Sequence, residues 1–356
     1  MTSRRRFLAG LAAAGVLPQA SWADAGSPAY LAAGARGDGS FVLCGIGPGL
    51  DVLFQQPLPD RGHAAAAHPH RPEAVAFARR PGTFALVLDC VTGEVTSRLE
   101  APAGRHFYGH GAFSRSGDWL YTTENDYEAG RGRIGVWDAR AGYARAGEFD
   151  SGGTGPHDIK RLPGRETLVI ANGGIDTHPD SGRVKLNIAT MAPNLSYADD
   201  GAITGNFSLP PGMHKNSIRH LAVSETGRVA FGMQWQGDGD APALVGVHKG
   251  QGPLRLLEAP DADLRAMQGY IGSVALGPDD ATVYVTSPRG GLVQAYDCGT
   301  GRLVRSHPLQ DVCGVAACAT GVVVTSGTGA LQRLARRPGR LHRAADLQWD
   351  NHLVRL

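Results

Sequence analysis

Apolar residues in this chain recur in short alternating stretches, each bounded by Gly, Pro, Asp or Ser. Alternation with period two marks half-buried β-strands, and turn residues at such close intervals leave little room for long helices. The pattern also repeats. "GAFSRSGDWLYTTEND" followed by "GRIGVWDARAG" has a counterpart in "SVALGPDDATVYVTSPRGGLVQAYDCGTGRLV" and in "HLAVSETGRVAFGMQWQGD". "DIKRLPGRETLVIANGG" is a further copy, "GVAACATGVVVTSGTGALQRL" a short one and "AVAFARRPGTFALVLDCVTGEV" a blurred one. Each unit predicts an inner strand, a turn, a second strand, a loop, a third strand, a turn and an outer strand, which is a propeller blade.

Copies begin near residues 63, 110, 157, 220, 270 and 312. A seventh needs both ends of the chain. "WDNHLVRL" reads as an inner strand with nothing after it, and "AYLAAGARGDGSFVLCGIG" as the strands that follow one. Pairing them leaves no free sheet edge. The expectation is an all-β chain, a single seven-bladed β-propeller over residues 26–356, with a long insertion at 174–214.

Composition agrees with this: 50 glycines and 22 prolines among 356 residues suit many tight turns. A formal net charge of +2 implies no nucleic-acid partner. Residues 1–25 read as a twin-arginine-type signal peptide: Arg4 and Arg5 precede Phe7 and Leu8, and an apolar run too short to span a bilayer follows. Cleavage is expected after Ala23 or Ala25, the mature protein is expected in the periplasm, and no other membrane segment is predicted. The cysteines (Cys44, Cys90, Cys298, Cys313, Cys318) form no metal-binding pattern and read as small buried hydrophobes.

The candidate chemistry is histidine. Five units place one at the start of the inner strand: His63, His110, His157, His220 and His352. Inner strands line the channel, so these imidazoles are predicted to ring one end of it, with Gly272 and Gly314 near the equivalent places in the other two blades. The repeat wavers by one residue at His157. Neutral imidazoles converging on a channel form a cage for a transition metal; a histidine hydrogen-bonded to a neighbouring blade is the structural alternative. Glu124 and Asp126 are expected on the same face, as oxygen ligands or as orienting groups, and carboxylates beside imidazoles favour iron over copper. Asn125, Asn172, Gln234, Gln236 and Arg289 fall at the ends of second strands, and Asp176, His178, Asp180, Lys185, Met191 and His214 on the insertion. The methionines read as packing residues. His68, His70, His106, His248, His307 and His342 follow no pattern and read as surface or turn residues. No nucleophile elbow, phosphate-binding loop or haem attachment motif occurs.

"GHGAFSRSGDWLYTTENDYEAGRGRIGVWDA", "GPHDIKRLPGRETLVIANGGIDTHPDSGRVKLNI" and "SIRHLAVSETGRVAFGMQWQGD" resemble a bacterial family catalogued as domain of unknown function 1513, over nearly the whole mature chain. The resemblance implies a periplasmic seven-bladed propeller. It also implies a setting among imelysin-like iron-uptake and haem proteins, and so a weak link to iron. It carries no catalytic residues. Two other readings stand beside metal acquisition or redox handling with an iron or copper ion. One is a scaffold that docks an imelysin-like or haem protein. The other is a small-molecule enzyme of the lactonase or dehydrogenase type, against which a channel led by histidines rather than carboxylates argues.

Overall fold

The computed structural model describes residues 20–356 apart from 80–82, 183, 336, 337 and 345. The export-signal reading therefore lies outside the described residues as far as residue 19. Among the described residues, strands β1 (Tyr30–Arg36) to β28 (Leu347–Arg355) form seven four-stranded antiparallel sheets, with one short α-helix at Asp261–Ala266. No helix among them is long and apolar enough to cross a membrane.

Turn chemistry makes the hairpins. In blade two, Ser114 Oγ accepts from the Trp119 amide at 3.0 Å, and Gly117 takes φ +81°, joining β8 (Arg105–Phe113) to β9 (Trp119–Asp126). The repeated "DCVTG" and "DCGTG" act alike: Asp89 Oδ1 accepts from the Val91 amide at 2.8 Å, and Asp297 Oδ1 from the Thr300 amide at 2.6 Å.

The inner strands of blades one to six are β4 (Gly62–Ala67), β8, β12 (Pro156–Arg161), β16 (Asn216–Val223), β20 (Ser273–Leu276) and β24 (Val312–Cys318). Blade seven joins the chain ends: β28 is its inner strand and pairs with β1, so that Tyr30 faces Arg355 and Gly34 faces Trp349. The apolar core is divided among the blade interfaces. Each of seven clusters unites two neighbouring sheets, as where Phe77 of blade one packs with Phe107, Leu120 and Trp137 of blade two. Asp350 on β28 adds a polar tie, accepting from Arg61 at 2.6 Å and Arg79 at 3.0 Å of blade one.

The segment read as an insertion over 174–214 is shorter than expected. Its second half is the blade's own β14 (Asn194–Asp199) and β15 (Ala202–Ser208), which complete the third sheet. Only residues 173–193, between β13 (Leu168–Asn172) and β14, are additional. Two single-turn 3-10 segments there hid the strand boundary from a reading by periodicity.

A chain ending at residue 346 lacks β28 and leaves β1 as an open edge. We expect it to lose the cooperative thermal transition, and a synthetic peptide of residues 346–356 to restore it. A wild-type melting curve from the truncated chain counts against closure by the terminal strands.

Candidate metal centre

The inner strands begin at one end of the channel, and a break in strand register recurs there. On β8 the pairing with β9 slips between Phe107 and Gly111, on β12 between Pro156 and Asp158, on β16 between Ile218 and His220, and on β4 between Gly62 and Ala65. On blade seven the slip between Ala32 and Gly34 lies opposite the stretch of β28 that carries His352. A bulge adds a residue to one strand and re-aims the side chains around it. This resolves the one-residue uncertainty at His157, which joins the group. The close approach also needs Gly109, whose φ is +100° and where a Cβ would lie 2.6 Å from His63 Cδ2.

All five predicted histidines meet. Ring centroids of His63 and His110 are 5.0 Å apart, His110 and His157 5.1 Å, His157 and His220 4.8 Å, His220 and His352 5.1 Å, and His352 and His63 4.6 Å. His63, His110, His220 and His352 are buried, while His157 keeps some exposure. Ligating atoms fall into two overlapping trios, His63–His110–His352 and His110–His157–His220, within 4.8 Å of one another in each. Two imidazole nitrogens about 2.0–2.1 Å from a shared ion are at most about 4.2 Å apart. Three such nitrogens sharing one ion lie about 3.4–3.6 Å apart, so either trio would draw in by up to about 1.4 Å to hold a metal.

The nitrogens are unspent. Among the described residues, His63 Nδ1, His110 Nε2, His157 Nδ1, His352 Nε2 and both nitrogens of His220 are buried with no protein partner. Buried polar atoms are nearly always paired, so six in one cluster mark a place that expects a ligand. Burial, then the proximity of His110, pushes His63 down to about 3 from its ordinary 6.5. Desolvation also holds His157, His220 and His352 well below their ordinary value, with Arg219 adding to the effect on His157 and His110 on the other two. Imidazoles held neutral are the form that binds a metal.

The orienting carboxylate is Asp158, which sequence reasoning missed. Its Oδ1 lies 3.1 Å from His110 Nδ1 and 3.2 Å from Lys160 Nζ, and its Oδ2 accepts from the Leu221 amide of blade four at 2.9 Å. Burial alone would raise the Asp158 pKa; Lys160 and His110 outweigh it and hold the group ionised, well below the usual carboxylate range. His110 is thereby fixed with Nε2 toward the cluster, the arrangement in which a carboxylate steers a ligating imidazole. The sequence signal was available, since Asp158 directly follows His157 on the inner strand.

Glu124 and Asp126 are not brought to the cluster's donor trios. Glu124 is fully buried within blade two, where Arg145 Nη1 and Nη2 donate to its two oxygens at 2.8 and 2.9 Å. Asp126 lies among Arg105 at 3.5 Å and Arg133 at 3.7 Å. Asn172 serves structure, donating to the Ser151 carbonyl and Asn194 Oδ1 at 2.9 Å each. Met191 and Met233 are packing residues, as expected. His178 lies near Glu128 and Asp180, and His214 near the Pro211 carbonyl. His106 and His248 are buried strand residues rather than surface or turn ones: His106 stacks on Tyr127, and His248 Nδ1 lies 2.8 Å from the Tyr197 hydroxyl. Both occupy strands whose neighbours supply aromatic and polar partners, which spacing alone does not reveal.

His110, His220 and His352 form the floor of a channel cavity of about 530 Å³, lined by the downstream halves of the inner strands, including Ala65, Lys160, Val274 and Ala316. The cluster therefore divides the channel: a cavity on one side, and the loops at the start of the inner strands on the other.

The chain belongs to the family described as "Protein of unknown function (DUF1513)", whose profile matches residues 56–356. No curated protein matches it. Among solved structures it is similar to Kuenenia stuttgartiensis hydrazine synthase, at 13% identity with a TM-score of 0.59, over 89% of this chain and 96% of that one. At this identity the likeness is one of fold.

A pH dependence follows from the imidazoles. In metal-free protein His63, His157, His220 and His352 stay neutral when folded, whereas in the unfolded chain they take up protons below about 6.5, so stability falls as pH falls. For His63 the window runs from 6.5 to about 3. Denaturant midpoints measured between pH 7 and about pH 4.5 should fall steeply for wild type and less for a His63→Gln/His220→Gln variant. Equal slopes would contradict the neutral cluster.

Proposed function

We propose that this protein is an exported, periplasmic metal-binding propeller that holds a first-row transition ion in metal acquisition or redox handling. His63, His110, His157, His220 and His352 would be the ligands, not necessarily all at once, with Asp158 orienting His110. One observation carries the reading: six buried imidazole nitrogens in one cluster lack a protein partner. As structural histidines they would be costly to bury; as ligands they are satisfied.

The donor set sharpens the choice of ion. Carboxylate ligands would favour iron over copper, but Glu124 and Asp126 are engaged by arginines instead. A nitrogen-only set suits copper, zinc and nickel as well as ferrous iron, and it argues against calcium. The overlap of the trios at His110 offers two adjacent positions for one ion.

The second reading, a scaffold for an imelysin-like or haem protein, is favoured by the exposed Val184 and Leu186 of the 173–193 loop, at 61% and 49% exposure. Co-purification of a partner that survives histidine substitution but not Val184→Asp/Leu186→Asp would support it.

Elemental analysis of the exported protein should find about one metal ion per chain. His110→Ala/His157→Ala should abolish binding, and His307→Ala should leave it intact. Asp158→Asn should weaken binding about 10- to 100-fold with the fold unchanged by circular dichroism. Protein that carries no metal and takes up neither copper, zinc nor ferrous iron would refute the proposal.

A further inference from the structure

The end of the channel where the inner strands begin is electropositive in the sector of blades four and five. Three cations converge there from separate segments: Lys185 on the 173–193 loop, Arg219 on β16 and Arg289 after β21 (Thr282–Ser287). A continuous set of contacts places them together. Arg219 Nε donates to Ser217 Oγ at 2.9 Å, and Ser217 pairs across the sheet with Gln234. Gln234 bridges to Tyr270, over whose ring the Arg289 guanidinium stacks at 4.4 Å. Gln236 donates to the Gln234 carbonyl at 2.8 Å, and Lys185 donates to the Gln236 side chain.

Among the described residues, no carboxylate lies within ion-pair distance of Lys185 or Arg289. Other cations have carboxylate partners, as Arg61 and Arg79 have Asp350 and Arg145 has Glu124. Burial, then Arg219 and Arg289, pulls the Lys185 ammonium below its ordinary value, which marks the three as close neighbours. Arg219 is also the leading charge acting on His157, the cluster histidine with some exposure. The cationic sector and the imidazole cluster thus adjoin.

Like charge repels a bare cation, so an aquated metal ion approaching from this side meets an electrostatic barrier, whereas an anion is drawn in. We infer that Lys185, Arg219 and Arg289 form a binding site for a small polycarboxylate, which brings the metal to the histidines as an anionic chelate or completes its coordination there. One carboxylate pairs with Lys185 and Arg289, and another is left to face the ion. The anion site stands on charge and contacts alone; its role as a co-ligand rests on the metal reading above.

The probe is citrate, titrated calorimetrically into metal-free full-length protein at low ionic strength. Wild type should bind it, and Lys185→Glu/Arg289→Glu should bind it at least about tenfold more weakly, with an unchanged melting temperature. Lys185→Gln/Arg289→Gln, which removes charge without reversing it, should fall between the two and guards against misfolding of the reversed variant. Uptake of aquated zinc or copper should be undiminished in both variants, while uptake of the citrate-chelated ion should fall. Absent citrate binding, or binding equal in wild type and the charge-reversed variant, would overturn the inference even if metal binding persists. Charge-dependent citrate binding to protein that takes up no metal would uphold the anion site and refute only the reading it serves.

Discussion

The pairing of Leu347–Arg355 with Tyr30–Arg36 is the constraint on which the rest of the molecule depends. A propeller blade has one apolar cluster on each flank, and every blade here shares both with neighbours. Seven sheets complete that arrangement only if the first and last strands of the chain occupy one sheet. Closure then sets the channel radius, and the radius decides whether side chains from different blades touch. Residues as distant in sequence as His63 and His352 come within 4.6 Å, ring to ring, because the ring is closed.

At that radius, imidazole is a demanding choice. Its nitrogens seek partners, and an apolar interior supplies none. Elsewhere the fold meets such demands locally: His248 has the Tyr197 hydroxyl, and Asn172 has Ser151 and Asn194. In the central cluster six imidazole nitrogens have no partner among the described residues, and a single carboxylate is committed to a single ring. That contrast is what a group of imidazoles able to hold a metal ion would show. The register break beside each of the five histidines re-aims the side chains around it, and blade six has a similar break between Val312 and Val315.

Much of this was legible in the residues. Period-two alternation and turn chemistry identified the blades, and the orphaned "WDNHLVRL" strand identified the closure. The equivalent places of five histidines in successive repeats identified the cluster. What could not be read was anything dependent on which way a strand-end side chain turns. Glu124 has the same address in its blade as a channel-facing residue, but Arg145, two strands later in sequence, pairs with it inside the sheet. Asp158 looked like the first residue of an ordinary strand, because its partners Leu221 and His110 lie in the blades on either side. The third blade's outer strands were hidden behind the loop 173–193, whose length breaks the repeat spacing. Pairwise contacts between blades carry no periodic signal, and the misreadings fall there.

The thiols bear on how the protein matures. Cys44, Cys90, Cys298 and Cys313 are buried and unbridged, Cys318 is partly exposed and also unbridged, and burial pushes Cys44 and Cys90 up to about 12. Protonated thiols shut inside blade interfaces are poor nucleophiles and poor targets for oxidants. The fold is therefore held without a cross-link between its cysteines, the four buried thiols are shielded from oxidants by the blades around them, and Cys318 is the one thiol left partly open to such chemistry.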